Sequence, residues 1–542
     1  MYYNEVALPL PKEAGEEENS EEKTIYIAYI ILLCIMLVYV SVGTWMEHRK
    51  CGFGHETGVV ILLGIGVGGI LQVTGEDIST EFNPVVLFDF ALPFILYAAG
   101  YNMRRRRFYD DINNITMFGV LSTVVCFIIL SLTTIAAFQW DWIYKFAEHF
   151  EETDEHNHHF HMLKGEGWTH TVVHIPSVEV SLLCAMLCSS DIIAAVSLVK
   201  YKEYPKIFSI LLGEGLWNDA VAVVLAQSAE KLVKKHQSYT LSTVGIMIGN
   251  FFLLSLVSAL IGLAGGLLSG LMTKYCRFLT RNSVHETFLL ITIAFLTYYV
   301  ADLFEMSGII SIIVTSVMQA QYSWYNLSPQ GKSVSAVTFQ SLGYFSEALI
   351  FSYIGLGIFT SSTTDWSISF ICIELVLIVF ARLVSVLSVQ YTFVCCCRGE
   401  KTLRFKECVF LAYAGMIRGA IALGLAIKAE AYFSEYGFVV TSVLALVIVS
   451  TLIFGSFMPL VAKCLLTKPS KSDKQSPRQG AEEPMLNDHQ NESPHFNRTL
   501  LGSNEKESRE FNSQENQEGD QLSLAPRSPN HEAILGNSFP NA

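Results

Sequence analysis

The chain has 542 residues, of which 51% are hydrophobic and only 16% charged, with a formal net charge of −14. Soluble globular chains carry about 25% charged residues, so the composition points to a membrane protein. The negative balance argues against nucleic acid as a partner.

Residues 1–23 are acidic (GEEENSEE from Gly15) and lack the apolar core of a cleavable signal, so they read as an outer or lumenal segment. Residues 24–466 read as a membrane domain. A hydrocarbon layer of about 30 Å needs roughly 20 apolar residues per helix. Thirteen candidate spans start near Thr24, Thr57, Val85, Asn114, Pro176, Lys206, Leu241, His285, Met306, Ala336, Asp365, Phe405 and Phe438. The third (LPFILYAAG), fifth and twelfth look short or interrupted by Gly and Pro. The expected fold is therefore all-α and polytopic. The loops after odd-numbered spans hold 17 Lys and Arg residues, from Arg49-Lys50 to Lys406, against about eight in the N-terminal segment and the loops after even-numbered spans. The positive-inside rule then puts the N-terminus outside and the C-terminus in the cytosol.

The first and last six spans read as two halves of opposite topology, joined by the seventh. Inverted six-helix repeats of this kind place interrupted, crossing helices at mid-membrane, and spans 5 and 12 occupy corresponding positions. Residues 467–542 are rich in Ser, Asn, Gln, Glu and Pro and read as a disordered cytosolic tail. Ser476-Pro477 and Ser528-Pro529 are candidate phosphorylation sites there, and the sequon at Asn497 should stay unglycosylated. The segment from Glu148 to His174 carries seven histidines among acids. It suits Zn²⁺ binding or titration near pH 6, but no fixed ligand spacing supports a metal site, so a solvated loop is expected. The twelve cysteines fall in spans or cytosolic loops, the pattern of reduced thiols. Cys395 to Cys397, just past a span, are candidates for palmitoylation.

Charged side chains inside spans are costly and normally face a cavity or a partner. The informative ones are Asp191 in span 5, Glu214 and Asp219 in span 6, Glu347 in span 10 and Arg418 in span 12. Glu374 and Arg382 in span 11 read as lying nearer its ends and as structural. A buried Arg418 needs a carboxylate, which Glu214 or Glu347 can supply as a structural ion pair. Glu214 and Asp219 are five residues apart, so they point to different sides of a helix. Asp219 is the residue on which function is expected to turn. Desolvation favours the neutral form of a carboxyl, so such a group can hold a proton or a small cation, one at a time. Asp191, Ser190 and carbonyls freed by a broken helix would complete the oxygen shell that a hard cation requires. Asn218, as a neutral amide, limits the load to one cation per proton. Competition for one carboxylate reached alternately from each side is an antiport mechanism.

GEGLWNDAVAVV resembles a motif of the sodium/proton exchangers of the monovalent cation/proton antiporter superfamily. LPFILYAAGY, the surroundings of Asp191, MSGIISIIVTSVMQAQYSWYNLS, SEALIF and AGMIRGA are similar to family segments in order and spacing, over about Thr24 to Leu466. AGMIRGA and the pattern at Trp324 resemble the vacuolar and endosomal branch most. The resemblance implies an electroneutral Na⁺ (or K⁺)/H⁺ exchanger, a homodimer in the lipid bilayer with no cofactor, serving pH and cation homeostasis in an endomembrane or the plasma membrane. By motif match, Asp219 and Asp191 bind the ion, Asn218 supports the site, Glu214 pairs with Arg418, and Glu347 is a further buried polar residue. Two positions depart from the family: Ile192 follows Asp191, and Ala98 stands where an acid is usual. A cation channel or uniporter, or a non-transporting membrane sensor, is the alternative. No nucleophile–base set marks an enzyme.

Overall fold

A backbone inside a bilayer must satisfy its own hydrogen bonds, and a helix does so within one segment. The computed structural model describes residues 13–49, 56–74, 84–103, 105–148, 168–192, 195–196, 199, 203–235, 240–276, 278, 282–359, 366–397, 403–429 and 432–466, and nearly all of them are helical. Among the described residues, seven helices are long and apolar enough to cross a membrane.

In chain order, α1 is Glu13–Arg49, α2 Glu56–Thr74, α3 Pro84–Tyr101 and α4 Arg105–Asp110. Helix α5 runs Ile112–Gln139 with a π-turn at Met117–Leu121. After a β-hairpin come α6 Ser177–Leu187, α7 Pro205–Val233, α8 Leu241–Tyr275, α9 Ser283–Leu303 and α10 Gly308–Met318. Then follow α11 Pro329–Leu356, α12 Ile368–Cys397, α13 Phe405–Ala414 and α14 Ala420–Lys428. The last helix, α15, spans Tyr436–Leu465 with a π-turn at Thr451–Gly455.

A helix covers, or begins within three residues of, each of the thirteen expected starts. Several of these helices are nevertheless short or broken, so length and apolarity alone support seven spans rather than thirteen. Four local differences have physical reasons. Helix α1 starts at Glu13, so helix already covers part of the acidic segment assigned to 1–23. Helix α3 is continuous despite Pro93, because neighbouring helices can re-satisfy a backbone group freed by proline. Helix α12 continues to Cys397, which moves its middle towards the C-terminus. The base of the histidine-rich loop is a hairpin, β1 Tyr144–Glu148 against β2 Trp168–Val172, with Tyr144 opposite Val172. Ser367 donates to the Tyr144 carbonyl (2.7 Å), anchoring the hairpin beside the start of α12. The histidines from His149 to His161, residues 1–12 and the tail from 467 lie outside the described residues.

Packing divides the helices into two groups. Helices α1–α3 and α8–α11 pack mainly with one another, most extensively α11 on α3 and α2, and α8 on α10. Helices α5–α7 and α12–α15 form the other group, led by α6 on α7 and α12 on α5. The groups meet where α7 packs on α8 and where α14 and α7 face α3, α10 and α11. Helices α1 and α8 turn large apolar side chains outwards, such as Leu37 (69% exposed) and Phe252 (65%). Such faces suit lipid, since a water-soluble monomer rarely shows so much contiguous apolar surface.

Candidate functional site

The site forms where two helices break. Helix α6 stops at Leu187, and Ser189 to Ile192 continue without helical structure. Helix α13 stops at Ala414, and Gly415–Gly419 separate it from α14. The two non-helical stretches lie against each other, the Asp191 N–H donating to the Ile417 carbonyl at 2.9 Å. Gly419 makes that approach possible. A Cβ there would lie 2.8 Å from the Cβ of Asp191, closer than carbon atoms tolerate.

A helix that ends inside a protein leaves its last carbonyls unpaired and its C-terminal dipole negative. Arg418 answers both needs of α6. Its Nη1 donates to the carbonyls of Cys188 and Ser189, each at 3.1 Å. The Arg418 backbone is pinned in turn by α15, its N–H donating to Ser450 Oγ (3.1 Å) and its carbonyl accepting from Thr451 (3.2 Å). The side chain is fully buried, and its Nε and Nη2 have no hydrogen-bond partner among the described residues.

Helix α7 brings the remaining groups. Ser189 donates to Asp219 Oδ1 at 2.8 Å. Asn218 donates through Nδ2 to Ser190 Oγ at 2.5 Å. Thr123 of α5 lies 2.6 Å from Asn218 Oδ1 and 2.7 Å from the Gly119 carbonyl, so its single proton serves one of them at a time. The charge of Asp219 is close enough to interact with those of Asp191 and Glu214. Asn218 and Ser190 are buried, whereas Asp219 and Asp191 are partly exposed. The arrangement is two partly exposed carboxylates, backed by hydroxyls and an amide fixed from behind. Such oxygens suit a small hard cation or a proton.

Glu214 does not pair with Arg418. It forms an ion pair with Arg382 of α12, and both side chains are withdrawn from solvent. Arg382 occupies space beside Gly415, where any side chain would collide with its guanidinium. Glu374, also on α12, is buried too and accepts from Thr134 at 2.9 Å. It lies within electrostatic reach of Arg418, although its Oε1 has no hydrogen-bond partner among the described residues. The reading of Arg382 as near the end of a span is therefore corrected, since it stands mid-helix; Glu374 lies six residues past the start of α12, and both side chains are buried. The missed signal was the apolar run itself, since Ile368–Thr392 extends ten residues beyond Arg382. Ser189, Thr123 and Thr134 were also missed; hydroxyls are common in such helices, and only the fold selects these three. Glu347 is buried on α11, in the other packing group. Ile192 packs against α7 at Gly215.

Two broken helices that meet at their interruptions within an apolar helical bundle, one carrying Asp191 and the other Arg418, with Asp219 on α7 beside them, belong to a multi-pass membrane fold. The structure matches that of the sodium proton antiporter MjNhaP1 from Methanocaldococcus jannaschii with a TM-score of 0.57 at 15% identity, over 82% of this chain and 99% of that one. The chain belongs to the sodium/hydrogen exchanger family, whose transmembrane model matches residues 35–464. It is 26% identical over 498 residues to sodium/hydrogen exchanger 4 of Arabidopsis thaliana, covering 87% of each chain. It is 26% identical over 468 residues to sodium/hydrogen exchanger 8 of Rattus norvegicus, covering 83% of this chain and 75% of that one.

Proposed function

We propose that the protein exchanges one monovalent cation, Na⁺ or K⁺, for one proton across a membrane by alternating access, with Asp219 holding either. The observation that carries this reading is the partly exposed Asp219, bonded to Ser189 in the break of α6 that also carries Asp191. Ionised, Asp219 offers charge to a cation while Asp191 and the Ser189 and Ser190 oxygens complete the shell. Protonated, it offers none, and the cation leaves. Family membership supports the same exchange.

Charge balance supports one-for-one exchange. A single Na⁺ or K⁺ and a single proton carry the same charge, so if Asp219 takes one or the other the loaded carrier holds the same net charge in both directions. Asn218 adds no charge. Neutral exchange feels no membrane potential, whereas each net charge moved is biased by about 2.3 kcal/mol per 100 mV. The protein is placed in an endomembrane or the plasma membrane as a homodimer, with its C-terminus in the cytosol.

Proteoliposomes loaded with a pH dye test this. Na⁺ or K⁺ gradients should drive proton flux that a clamped potential leaves unchanged. A current, or flux that follows voltage, would favour a channel or uniporter.

A further inference from the structure

Two lysines reach from the group with the broken helices to the other group, both at the same end of the bundle. Lys428, the last residue of α14, forms an ion pair with Asp89 near the start of α3. Lys231, in the last turn of α7, donates to the carbonyl of Glu305, just past the end of α9, at 3.2 Å. The lysine and arginine bias of the loops puts this end outside.

The receiving side is fixed in advance. Asp302, in the last turn of α9, accepts the N–H of Gly308 at 3.0 Å and so holds the turn into α10. It also bonds to Tyr298 and feels the charges of Lys428 and Asp89. Lys428 thus pairs with one carboxylate of the opposite group, Asp89, and has Asp302 as a second acid in its electrostatic surroundings. The giving side moves with the site: Lys231 is twelve residues beyond Asp219 on α7, about 18 Å at 1.5 Å per residue. Any displacement of α7 and α14 that turned Asp219 to the outer face would have to part both contacts.

Their strength suits repeated opening. Lys428 and Asp89 are 32% and 44% exposed, so water and salt screen the pair. The buried Glu214–Arg382 pair, by contrast, joins two helices of one group and need not open. Resting on the antiport reading above, we propose that Lys428–Asp89, supported by Lys231–Glu305, is a latch that closes the outer mouth of the ion path and parts in every transport cycle.

The full chain in proteoliposomes, with cation titrated separately at each face, tests the latch. Asp89→Asn and Lys428→Gln each remove it without burying a new charge. Each should weaken apparent cation affinity at the cytosolic face and tighten it at the outer face, by up to about fivefold, the scale of one exposed ion pair acting on a two-state equilibrium. The double variant should shift no further than either single one, and Asp89→Lys with Lys428→Asp should bring both affinities back towards wild type. Opposite signs at the two faces separate a latch from a packing defect. Unchanged affinities, or shifts of the same sign at both faces, would overturn the latch while wild-type exchange upholds the antiport reading. No exchange by the wild type would sink that reading and the latch with it.

Discussion

Glu214 on α7 and Arg382 on α12 form an ion pair at 0% and 1% side-chain exposure, while Arg418 spends its guanidinium on the carbonyls that end α6. The two arginines therefore do different work. One ties α7 to α12; the other folds the break that carries Asp191.

Removing one partner of a buried ion pair leaves an uncompensated charge, at a cost of about 3–5 kcal/mol. Arg382→Ala should destabilise the protein by that amount, whereas Glu214→Gln combined with Arg382→Gln should recover part of it. Thermal unfolding of the purified protein, followed by intrinsic fluorescence, checks both. An Arg382→Ala variant as stable as wild type would contradict the pairing.

Arg418→Ala should act first on the ion. Without its donors the Cys188 and Ser189 carbonyls are unpaired, and the Asp191 stretch loses its geometry. Apparent cation affinity, measured in exchange assays, should fall at least about tenfold, the effect of losing about 1.4 kcal/mol. Arg418→Lys should restore only part, because an ammonium lacks the planar fork. Unchanged affinity in Arg418→Ala would detach this residue from the site.

Gly419 has φ −112° and ψ −175°, which alanine also adopts, so a substitution there acts through space alone. The added Cβ meets Asp191 and should cost about 1–3 kcal/mol as overpacking, with loss of exchange. Exchange and unfolding measured on Gly419→Ala decide the point. Normal activity would mean that the break tolerates movement at Asp191.

Thr123→Val keeps the shape of the side chain and removes its hydroxyl. The buried Asn218 amide then loses a partner, which should cost about 1–3 kcal/mol and slow exchange, while Thr123→Ser should stay close to wild type. Equal activity of the valine and serine variants would show that Asn218 does not depend on this contact.

Much of this was legible in the sequence because apolar length and polar interruption are local properties. The run from Ile368 announces a helix by itself, and SSDIIAAV beside AGMIRGA announces two breaks. That Asp191, Ser190, Asn218 and Asp219 converge also followed from the motifs. Which acid meets which arginine did not follow, because charge bookkeeping treats Glu214 and Glu347 alike and only the packing of α7 on α12 distinguishes them. The depth of Arg382 was misjudged for a related reason: α12 runs 30 residues, and a span of about 20 from Asp365 would have ended just past it. The hairpin at Tyr144 escaped because its two strands are separated by 19 intervening residues, and pairing across such a gap leaves no local periodicity.

Asp219→Asn is the most direct experiment, since the amide keeps the shape and the contact with Ser189 but can neither ionise nor carry a proton. Purified, folded protein of unchanged oligomeric state should show no cation-driven proton flux in dye-loaded vesicles. Flux equal to wild type in that variant would contradict the assignment of exchange to this carboxylate.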